Sequence, residues 1–386
     1  MKSYLSSKVE QLKPSGIRRF FDLANSMEGV ISLGVGEPDF ITPWSICNAS
    51  IQSIKRGFTS YTEMEGLVEL RQEISYYMKS RFQVSYSPGT EIIVTIGGSQ
   101  ALDVSLRTIL NPGDEVLIIE PSYVAYGALV SLAGGIPVPI VTSFHDEFKP
   151  NPEQIKQSIS PRTKAIILCF PNNPTGSLLK KHELEAIADI IVENDLLVIT
   201  DEIYAELTYE EDAFCSLASL KGMKERTILV SGFSKGFAMT GWRLGFICAP
   251  EYLTQPMFEI IQHTTLGTSS ITQYGAIEAL RNGQRYIVEM RNSYRERRNF
   301  LVKQLNEIGL HCHLPEGAFY VFPSIGQTGL TSEQFAEKLL TQHKIAVVPG
   351  NAFGDSGEGY VRCSYATSME KLNEAMIRMK QFVETL

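Results

Sequence analysis

Short runs of consecutive apolar, β-branched residues alternate with longer segments of helical periodicity from about residue 45 to residue 285. Apolar runs separated by segments long enough for crossovers are typical of strands that are buried on both faces of a parallel sheet. The predicted strands are 91–95, 115–119, 164–168, 196–200 and 227–231. The pattern therefore predicts an α/β domain with a mostly parallel central sheet flanked by helices.

The pattern changes near residue 286, where a long charged helix of about 286–308 is predicted. It is followed by strand-like runs at 318–322, 344–348 and 359–364 and by a last helix from about residue 369. We therefore expect a large domain over 46–285 and a smaller α+β domain over 286–386. Residues 1–45 are expected to form an N-terminal arm and part of the small domain.

Composition limits the possible functions. The chain has 386 residues, 44% hydrophobic and 20% charged, with a net charge of -8 and no long basic run, which argues against nucleic-acid and anionic-membrane partners. No apolar run approaches the ~18 residues needed to span a bilayer, and the N-terminus lacks the apolar core of a signal peptide. Six cysteines without a CxxC pair and six histidines without an HxxxH pair predict reduced thiols, a cytoplasmic location and no metal site.

The most informative segment is Ser231-Gly-Phe-Ser234-Lys235-Gly-Phe-Ala-Met-Thr-Gly-Trp-Arg243, which follows a predicted strand. A lysine held against Phe233 and Phe237 would be partly desolvated, and desolvation lowers the pKa of an amine that must act as a nucleophile. The planar fork of Arg243 suits a phosphate. A lone lysine is usually a surface charge. Here, however, a lysine that could bond to an aldehyde stands near an arginine that could bind a phosphate, and this combination indicates pyridoxal phosphate.

Further candidates follow the other predicted strands, where α/β sheets bind ligands. Glycines and hydroxyls at a helix start form a phosphate seat, although a tight turn with a serine cap is the commoner explanation. Three further candidates each follow a predicted strand. The tyrosine could instead be a core aromatic, the asparagine part of a polar turn, and the aspartate a helix cap. A strand arginine is either a solvated residue or a carboxylate ligand. These candidates are Gly98, Ser99, Gln100, Tyr123, Asn173, Asp201 and Arg362.

Together these segments resemble the class I aminotransferases of the aspartate aminotransferase superfamily, which are pyridoxal-phosphate enzymes of fold type I. The resemblance extends from Leu33-Gly-Val-Gly-Glu-Pro-Asp-Phe40 to Arg362 and is most specific in the lysine segment, in Asn172-Asn-Pro-Thr-Gly176 and in Asp201-Glu-Ile-Tyr204. Within the superfamily the chain is similar to bacterial alanine, aspartate and N-acetyl-diaminopimelate aminotransferases. The resemblance implies a homodimer with shared active sites.

The resemblance also implies residue roles. Lys235 would bond covalently to the cofactor and then move the substrate proton, Asp201 would pair with the ring nitrogen, and Tyr123 would stack on the ring. Tyr204 and Asn173 would bond the phenolic oxygen. Arg362 would bind the substrate α-carboxylate with help from Asn173 and the backbone of Gly36. The phosphate would be surrounded by Gly98, Ser99, Gln100, Ser231, Ser234 and Arg243, and by Tyr61 of the neighbouring subunit.

Three positions depart from the family pattern. The loop after Tyr61 continues with Glu63-Met64-Glu65 instead of a proline and a small residue. The serine expected to contact the phosphate, Ser231, stands four positions before the lysine, and Gly232 occupies the third position. Some bacterial aspartate enzymes carry a lysine for the distal carboxylate where Ser99 stands, so the aspartate assignment is weakened. Arg18 and Arg19 could serve a distal carboxylate instead, or could be surface charges.

We therefore expect transfer of an α-amino group from alanine or aspartate to 2-oxoglutarate. An N-acetyl-L,L-diaminopimelate or aromatic aminotransferase is the alternative within the class. A C–S lyase that uses the same cofactor is the alternative of another class, since a fold does not fix a reaction. A non-enzymatic sensor domain is disfavoured because the family pattern begins within the first forty residues.

Overall fold

A computed structural model of the chain describes residues 4–10, 12, 24, 27–210 and 214–386. A seven-stranded sheet forms its centre, in the order β2-β8-β7-β6-β5-β3-β4. Only β8 runs antiparallel to its neighbours, so the predicted mostly parallel α/β sheet is confirmed. Its strands are β2 (Ile92–Thr95), β3 (Glu115–Glu120), β4 (Ile136–Val141), β5 (Thr163–Leu168), β6 (Leu197–Asp201), β7 (Thr227–Gly232) and β8 (Gly245–Cys248).

Helices cover both faces of this sheet. On β5, Ala165 and Ile167 point to one hydrophobic cluster and Ile166 and Leu168 to another, so both faces of the strand are buried. The edge strand β4 contains two prolines, which an edge tolerates because it leaves one row of backbone N–H groups unpaired. In the described residues before 284, the α-helices are α1 (Ser7–Glu10), α2 (Trp44–Lys55), α3 (Val68–Phe82), α4 (Gly97–Ile109), α5 (Ala125–Ala133), α6 (Pro152–Ser158), α7 (Lys181–Glu193), α8 (Glu251–Thr264) and α9 (Ser270–Asn282).

The C-terminal part has its own small sheets. Its strands and α-helices are α10 (Gln284–Glu307), β9 (Tyr320–Val321), α11 (Ser332–His343), β10 (Ile345–Ala346), β11 (Val348–Pro349), β12 (Val361–Ser364) and α12 (Met369–Val383). Three of these strands form an antiparallel sheet in the order β11-β12-β9. Strand β1 (Ile31–Ser32) pairs in parallel with β10, so residues near the start of the chain contact its last third. In the described ranges, no helix is both long and apolar enough to cross a membrane.

Strands β7 and β8 approach each other at a pair of glycines, Gly232 and Gly245. A Cβ on Gly245 would lie 2.7 Å from the carbonyl carbon of Gly97 and 2.8 Å from the nitrogen of Gly98. Because these are backbone atoms at the start of α4, they cannot move aside without moving the helix. The absence of a side chain at Gly245 therefore allows the first turn of α4 to lie directly on the sheet.

We predict that Gly245→Ala destabilises the protein, because the added methyl group forces α4 away from β8. Overpacking of this kind costs about 1–3 kcal/mol, which thermal or chemical unfolding would detect. Gly241→Ala is the matched control, since a Cβ there meets no atom within 4 Å. Equal unfolding midpoints for the two variants would contradict the prediction.

Candidate active site

The carboxyl ends of the parallel strands and the first turn of α4 surround one cavity of about 340 Å³. Parallel strands bring the loops that follow them to the same edge of the sheet, which explains why candidates far apart in sequence meet here. The predicted residues that line the cavity are Gly36, Gly98, Ser99, Tyr123, Asn173, Asp201, Tyr204, Ser234, Lys235, Arg243 and Arg362.

Three predicted cofactor residues lie outside this lining. The side chain of Gln100 bridges the backbone N–H of Ile96 (2.6 Å) and the hydroxyl of Thr265 (2.9 Å). The hydroxyl of Ser231 donates to the carbonyl of Glu202 at 3.3 Å. Tyr61 is 88% exposed. Their roles stay predictions.

Lys235 follows β7 and directs its amine into the cavity, where Nζ donates to the carbonyl oxygen of Gly36 at 2.5 Å. Burial, reinforced by the positive charges of Arg362 and Arg243, lowers the pKa of this amine to about 8. The aromatic ring below Nζ is that of Phe319, 5.8 Å from its centroid. Phe233 and Phe237, the neighbours expected from the sequence, contact each other within the core, and their effect on the amine stays a prediction.

Asp201 ends β6 and is only 7% exposed. Its Oδ2 accepts a hydrogen bond from the hydroxyl of Tyr126 at 2.8 Å, and its Oδ1 accepts one from the backbone N–H of Ile203 at 3.2 Å. Burial raises the pKa of this carboxyl to about 6, although both hydrogen bonds oppose the shift. The position thus favours a cationic partner, because two neutral donors do not replace the water that an ionised carboxylate loses.

Arg362 comes from β12 and is buried beside Asn173. Its Nη1 donates to Oδ1 of Asn173 at 2.9 Å and its Nη2 donates to the carbonyl of Gly34 at 2.6 Å. The guanidinium lies over the rings of Tyr320 and Phe353, 4.5 Å and 4.9 Å from their centroids. These contacts hold the planar fork in one orientation while leaving N–H groups free for a carboxylate.

Arg243 lies at the exposed edge of the cavity, against the first turn of α4. A Cβ on Gly97 would lie 2.9 Å from its Nη2, so glycine is needed for this approach. Its Nη1 donates to the carbonyl of Thr240 at 2.8 Å. The residue before the helix, Ile96, has no polar side chain that could cap the N–H groups of the first turn. A cation and free N–H groups thus face the same space, which suits a phosphate.

Several cavity residues were not predicted from the sequence. Tyr126 lies in the first turn of α5 and follows Tyr123, which precedes the helix, by three positions. Its backbone N–H donates to the carbonyl of Tyr123 at 3.1 Å and the two ring centroids are 5.5 Å apart, so this short spacing could have indicated the second tyrosine. Tyr320 had no such signal, since its role depends on contacts with residues far away in the chain. The unpredicted lining residues are Leu102, Tyr126, Cys169, Ile203, Thr240 and Tyr320.

Comparison with known proteins agrees with this geometry. The family model described as aminotransferase class I and II matches residues 28–379. The chain belongs to this family. The YugH protein of Bacillus subtilis is 58% identical over 99% of both chains. The aspartate aminotransferase of Pyrococcus abyssi is 47% identical, covering 98% of this chain and 97% of its own, and aromatic-amino-acid aminotransferase 2 of Thermococcus litoralis is 45% identical over 98% of both.

A Bacillus subtilis relative whose name refers to N-acetyl-LL-diaminopimelate is 41% identical over 99% of this chain and 96% of its own. Among solved structures, the aspartate aminotransferase of Thermus thermophilus with maleate has a TM-score of 0.93 and 38% identity, covering 99% of this chain and 100% of that one. The protein is therefore a pyridoxal-phosphate-dependent aminotransferase, and the predicted fold, enzyme class and cofactor are confirmed over the lyase alternative.

We predict that Asp201→Asn stabilises the cofactor-free protein near neutral pH. Because the folded-state pKa of about 6 lies above the ordinary 3.8, ionisation opposes folding, and wild type loses stability as the pH rises between these values. The variant lacks this loss, so its advantage should grow from about pH 4 to pH 6, up to about 3 kcal/mol, and stay constant above.

Denaturant unfolding of both proteins across this range measures the difference. Asp189→Asn, an exposed aspartate on α7, is the control and should show no such trend. A variant as unstable as wild type at pH 8, or an advantage that shrinks as the pH rises, would contradict the cause that we assign.

Proposed function

We propose that this cavity holds the cofactor and that Tyr123 would stack on its ring, Asp201 would pair with its ring nitrogen and Lys235 would bond to its aldehyde carbon. The donor set supports this placement, because a buried carboxylate without a described cation in contact matches a protonated ring nitrogen. When bound, pyridoxal phosphate supplies an electron-withdrawing ring that stabilises negative charge on the substrate Cα. The lowered pKa of Lys235 lets its amine take and return the Cα proton near neutral pH.

The phosphate is assigned to the exposed edge of the cavity. Arg243, the first turn of α4 with Gly98 and Ser99, and the hydroxyl of Ser234 supply charge and hydrogen-bond donors there. Tyr204 and Asn173 also line the cavity, and we assign both to the phenolic oxygen of the ring. Gln100 and Ser231 remain candidates for the phosphate through backbone groups.

We assign Arg362 to the α-carboxylate of the substrate, with Asn173 and the backbone of Gly36 beside it. The hydrogen bond from Nη1 to Asn173 and the two aromatic rings over the guanidinium fix the fork before the substrate arrives. Such a preformed fork binds a carboxylate without first paying the entropy of ordering a flexible side chain.

The amino donor is assigned from the cations of the cavity. In the part of the chain that the structure describes, the lining contains three cationic side chains, Lys235, Arg243 and Arg362. Two are assigned to the cofactor and one to the α-carboxylate, so a donor with an uncharged side chain fits this set best. This observation carries the proposal that alanine or another small amino acid is the donor. The distal carboxylate of the proposed acceptor, 2-oxoglutarate, needs a further cation, and Arg18 and Arg19 are the predicted candidates for it.

Other donors remain second candidates because relatives of comparable similarity are named for them. Aspartate and aromatic amino acids are favoured by the names of the Pyrococcus abyssi and Thermococcus litoralis enzymes, and N-acetyl-LL-diaminopimelate by that of a Bacillus subtilis relative. The predicted roles of Arg18 and Arg19 toward a distal carboxylate lie outside the described residues. A cytoplasmic location also stays a prediction.

We further propose a two-fold dimer in which Tyr61 reaches the phosphate of the partner. The side chain is exposed and does not line its own cavity, yet its loop is held firmly. The fully buried amide of Gln273 accepts from the backbone N–H of Leu67 at 2.7 Å and donates to the hydroxyl of Thr62 at 3.2 Å. An exposed tyrosine on an ordered loop supports a role across a subunit interface.

We predict that Arg362→Lys lowers kcat/KM for alanine, aspartate and phenylalanine by similar factors, because all three share the α-carboxylate. An ammonium cannot reproduce the bidentate fork, so each loss should be at least about tenfold. Arg285→Lys, the same change at an exposed arginine outside the cavity, should leave every value unchanged. A loss confined to one donor would refute the carboxylate role.

The same donor panel, measured on wild type with 2-oxoglutarate, tests the substrate proposal. Alanine or another small donor should give the highest kcat/KM. A panel dominated by aspartate, an aromatic amino acid or N-acetyl-LL-diaminopimelate would overturn the alanine assignment and leave the aminotransferase class intact.

We predict that mixing Lys235→Ala subunits with Tyr61→Phe subunits produces activity above the average of the two parents. Each hybrid dimer would contain one intact site, built from Lys235 of one subunit and Tyr61 of the other, and one doubly damaged site. Mixing Lys235→Ala with a Lys235→Ala, Tyr61→Phe double variant is the control and should give no gain. Averaged activity despite confirmed subunit exchange would show that each site is built from one chain.

A further inference from the structure

Tyr320 forms a hydroxyl pair with Tyr204 at the wall of the cavity. The two phenolic oxygens are 2.9 Å apart, and the residues are 1% and 4% exposed. Both side chains line the cavity that holds Lys235. A hydroxyl has a single proton to donate, so within this pair one tyrosine donates to the other and only one proton remains for a third group.

The surroundings of the two rings are unequal. The guanidinium of Arg362 lies over the ring of Tyr320, 4.5 Å from its centroid, whereas Tyr204 packs edge-on against the rings of Phe319 and Tyr320. A cation on the face of a phenol withdraws electron density and makes its O–H the stronger donor. In agreement, burial raises the pKa of both hydroxyls, but Tyr320 has the stronger opposing influences. The charge of Arg362 and then the contact with Tyr204 lower the pKa of Tyr320, whereas the contact with Tyr320 raises the pKa of Tyr204 further and Arg362 opposes that rise only weakly.

The hydroxyl of Tyr320 is also confined on its other side. A Cβ on Gly36 would lie 2.9 Å from this oxygen, so the backbone of Gly36 closes the space next to it. Gly36 presents its carbonyl to Lys235, which already donates to that oxygen. Tyr204 is thus the described hydrogen-bond partner of the Tyr320 hydroxyl.

We propose that Tyr320 is a positioning residue that donates its hydroxyl proton to Tyr204, so that the proton of Tyr204 is free for an acceptor in the cavity. This inference rests on the proposed function, in which that acceptor is the phenolic oxygen of pyridoxal phosphate. A hydroxyl that accepts one hydrogen bond becomes a better donor in the next. Tyr320 thereby links the arginine assigned to the carboxylate to the tyrosine assigned to the cofactor.

The test is a pH titration of the visible absorption of the bound cofactor in the holoenzyme. Donation to the phenolic oxygen stabilises negative charge there and lowers the pH at which the covalent linkage to Lys235 loses its proton. Tyr320→Phe keeps the ring under Arg362 and removes only the hydroxyl. It should raise the titration midpoint by roughly half a pH unit, since the hydrogen bond from Tyr204 is weakened but not lost.

Tyr204→Phe, which removes that hydrogen bond altogether, should raise the midpoint further. In the Tyr204→Phe background, adding Tyr320→Phe should have no effect, because the two hydroxyls act through the same oxygen. Tyr294→Phe is the matched control. Its hydroxyl is in the same hydrophobic cluster but bonds Asp39 at 3.3 Å, so the midpoint should not move.

A midpoint that falls in Tyr320→Phe would show that Tyr204 donates to Tyr320, and would overturn the proposal. An unchanged midpoint, or a shift that persists in the Tyr204→Phe background, would overturn it as well. If Tyr204→Phe itself leaves the titration unchanged, the assigned role of Tyr204 fails, and the inference fails with it. A shift in Tyr204→Phe with none in Tyr320→Phe refutes the inference alone.

Discussion

The buried charge of Asp201 is the constraint on which the rest of the site depends. The carboxylate lies at the end of β6, where the hydroxyl of Tyr126 and the backbone N–H of Ile203 are its donors among the residues that the structure describes. An ionised carboxylate in such surroundings is unfavourable unless a cation lies nearby. In the proposed arrangement, a protonated ring nitrogen would relieve this cost, and the carboxylate would in turn keep that nitrogen protonated. The burial that destabilises the cofactor-free protein would then also be the source of affinity and of electron withdrawal.

The same burial moves two pKa values in opposite directions, toward neutrality. The pKa of the Asp201 carboxyl rises to about 6, and the pKa of the Lys235 amine falls to about 8. A group that takes and returns a proton works best when its pKa is near the ambient pH. Arg362 and Arg243 contribute to the shift of Lys235 through their charges. The arginines assigned to the carboxylate and the phosphate thus also keep the lysine nucleophilic.

Most of the cavity lining could be predicted from the sequence, because the carboxyl ends of parallel strands lie side by side at one edge of the sheet. Once strands were recognised before Tyr123, Asn173, Asp201 and Lys235, their meeting at one edge followed. Tyr320 could not be found in this way, since its hydroxyl contact with Tyr204 joins positions 116 residues apart. For Gln100, the sequence did not indicate the side-chain contacts, since its amide bonds the backbone at Ile96 and the hydroxyl of Thr265; its predicted phosphate role would depend on its backbone.

The residues that select the substrate differ from the residues that determine the type of reaction. Relatives named for aspartate and for aromatic amino acids match this chain over 98% of its length at 47% and 45% identity. A fold that accommodates both kinds of substrate therefore leaves the donor side chain to be selected by a few residues. One extra methylene in a pocket changes specificity by only about 1–3 kcal/mol, whereas an unpaired carboxylate is rejected much more strongly. A cation beside the substrate side chain is thus a stronger discriminator than the size of the pocket, and the three described cations of the cavity are the basis for proposing an uncharged donor. The same argument requires a further cation for the distal carboxylate of 2-oxoglutarate, so any residue that supplies it also decides whether aspartate is accepted.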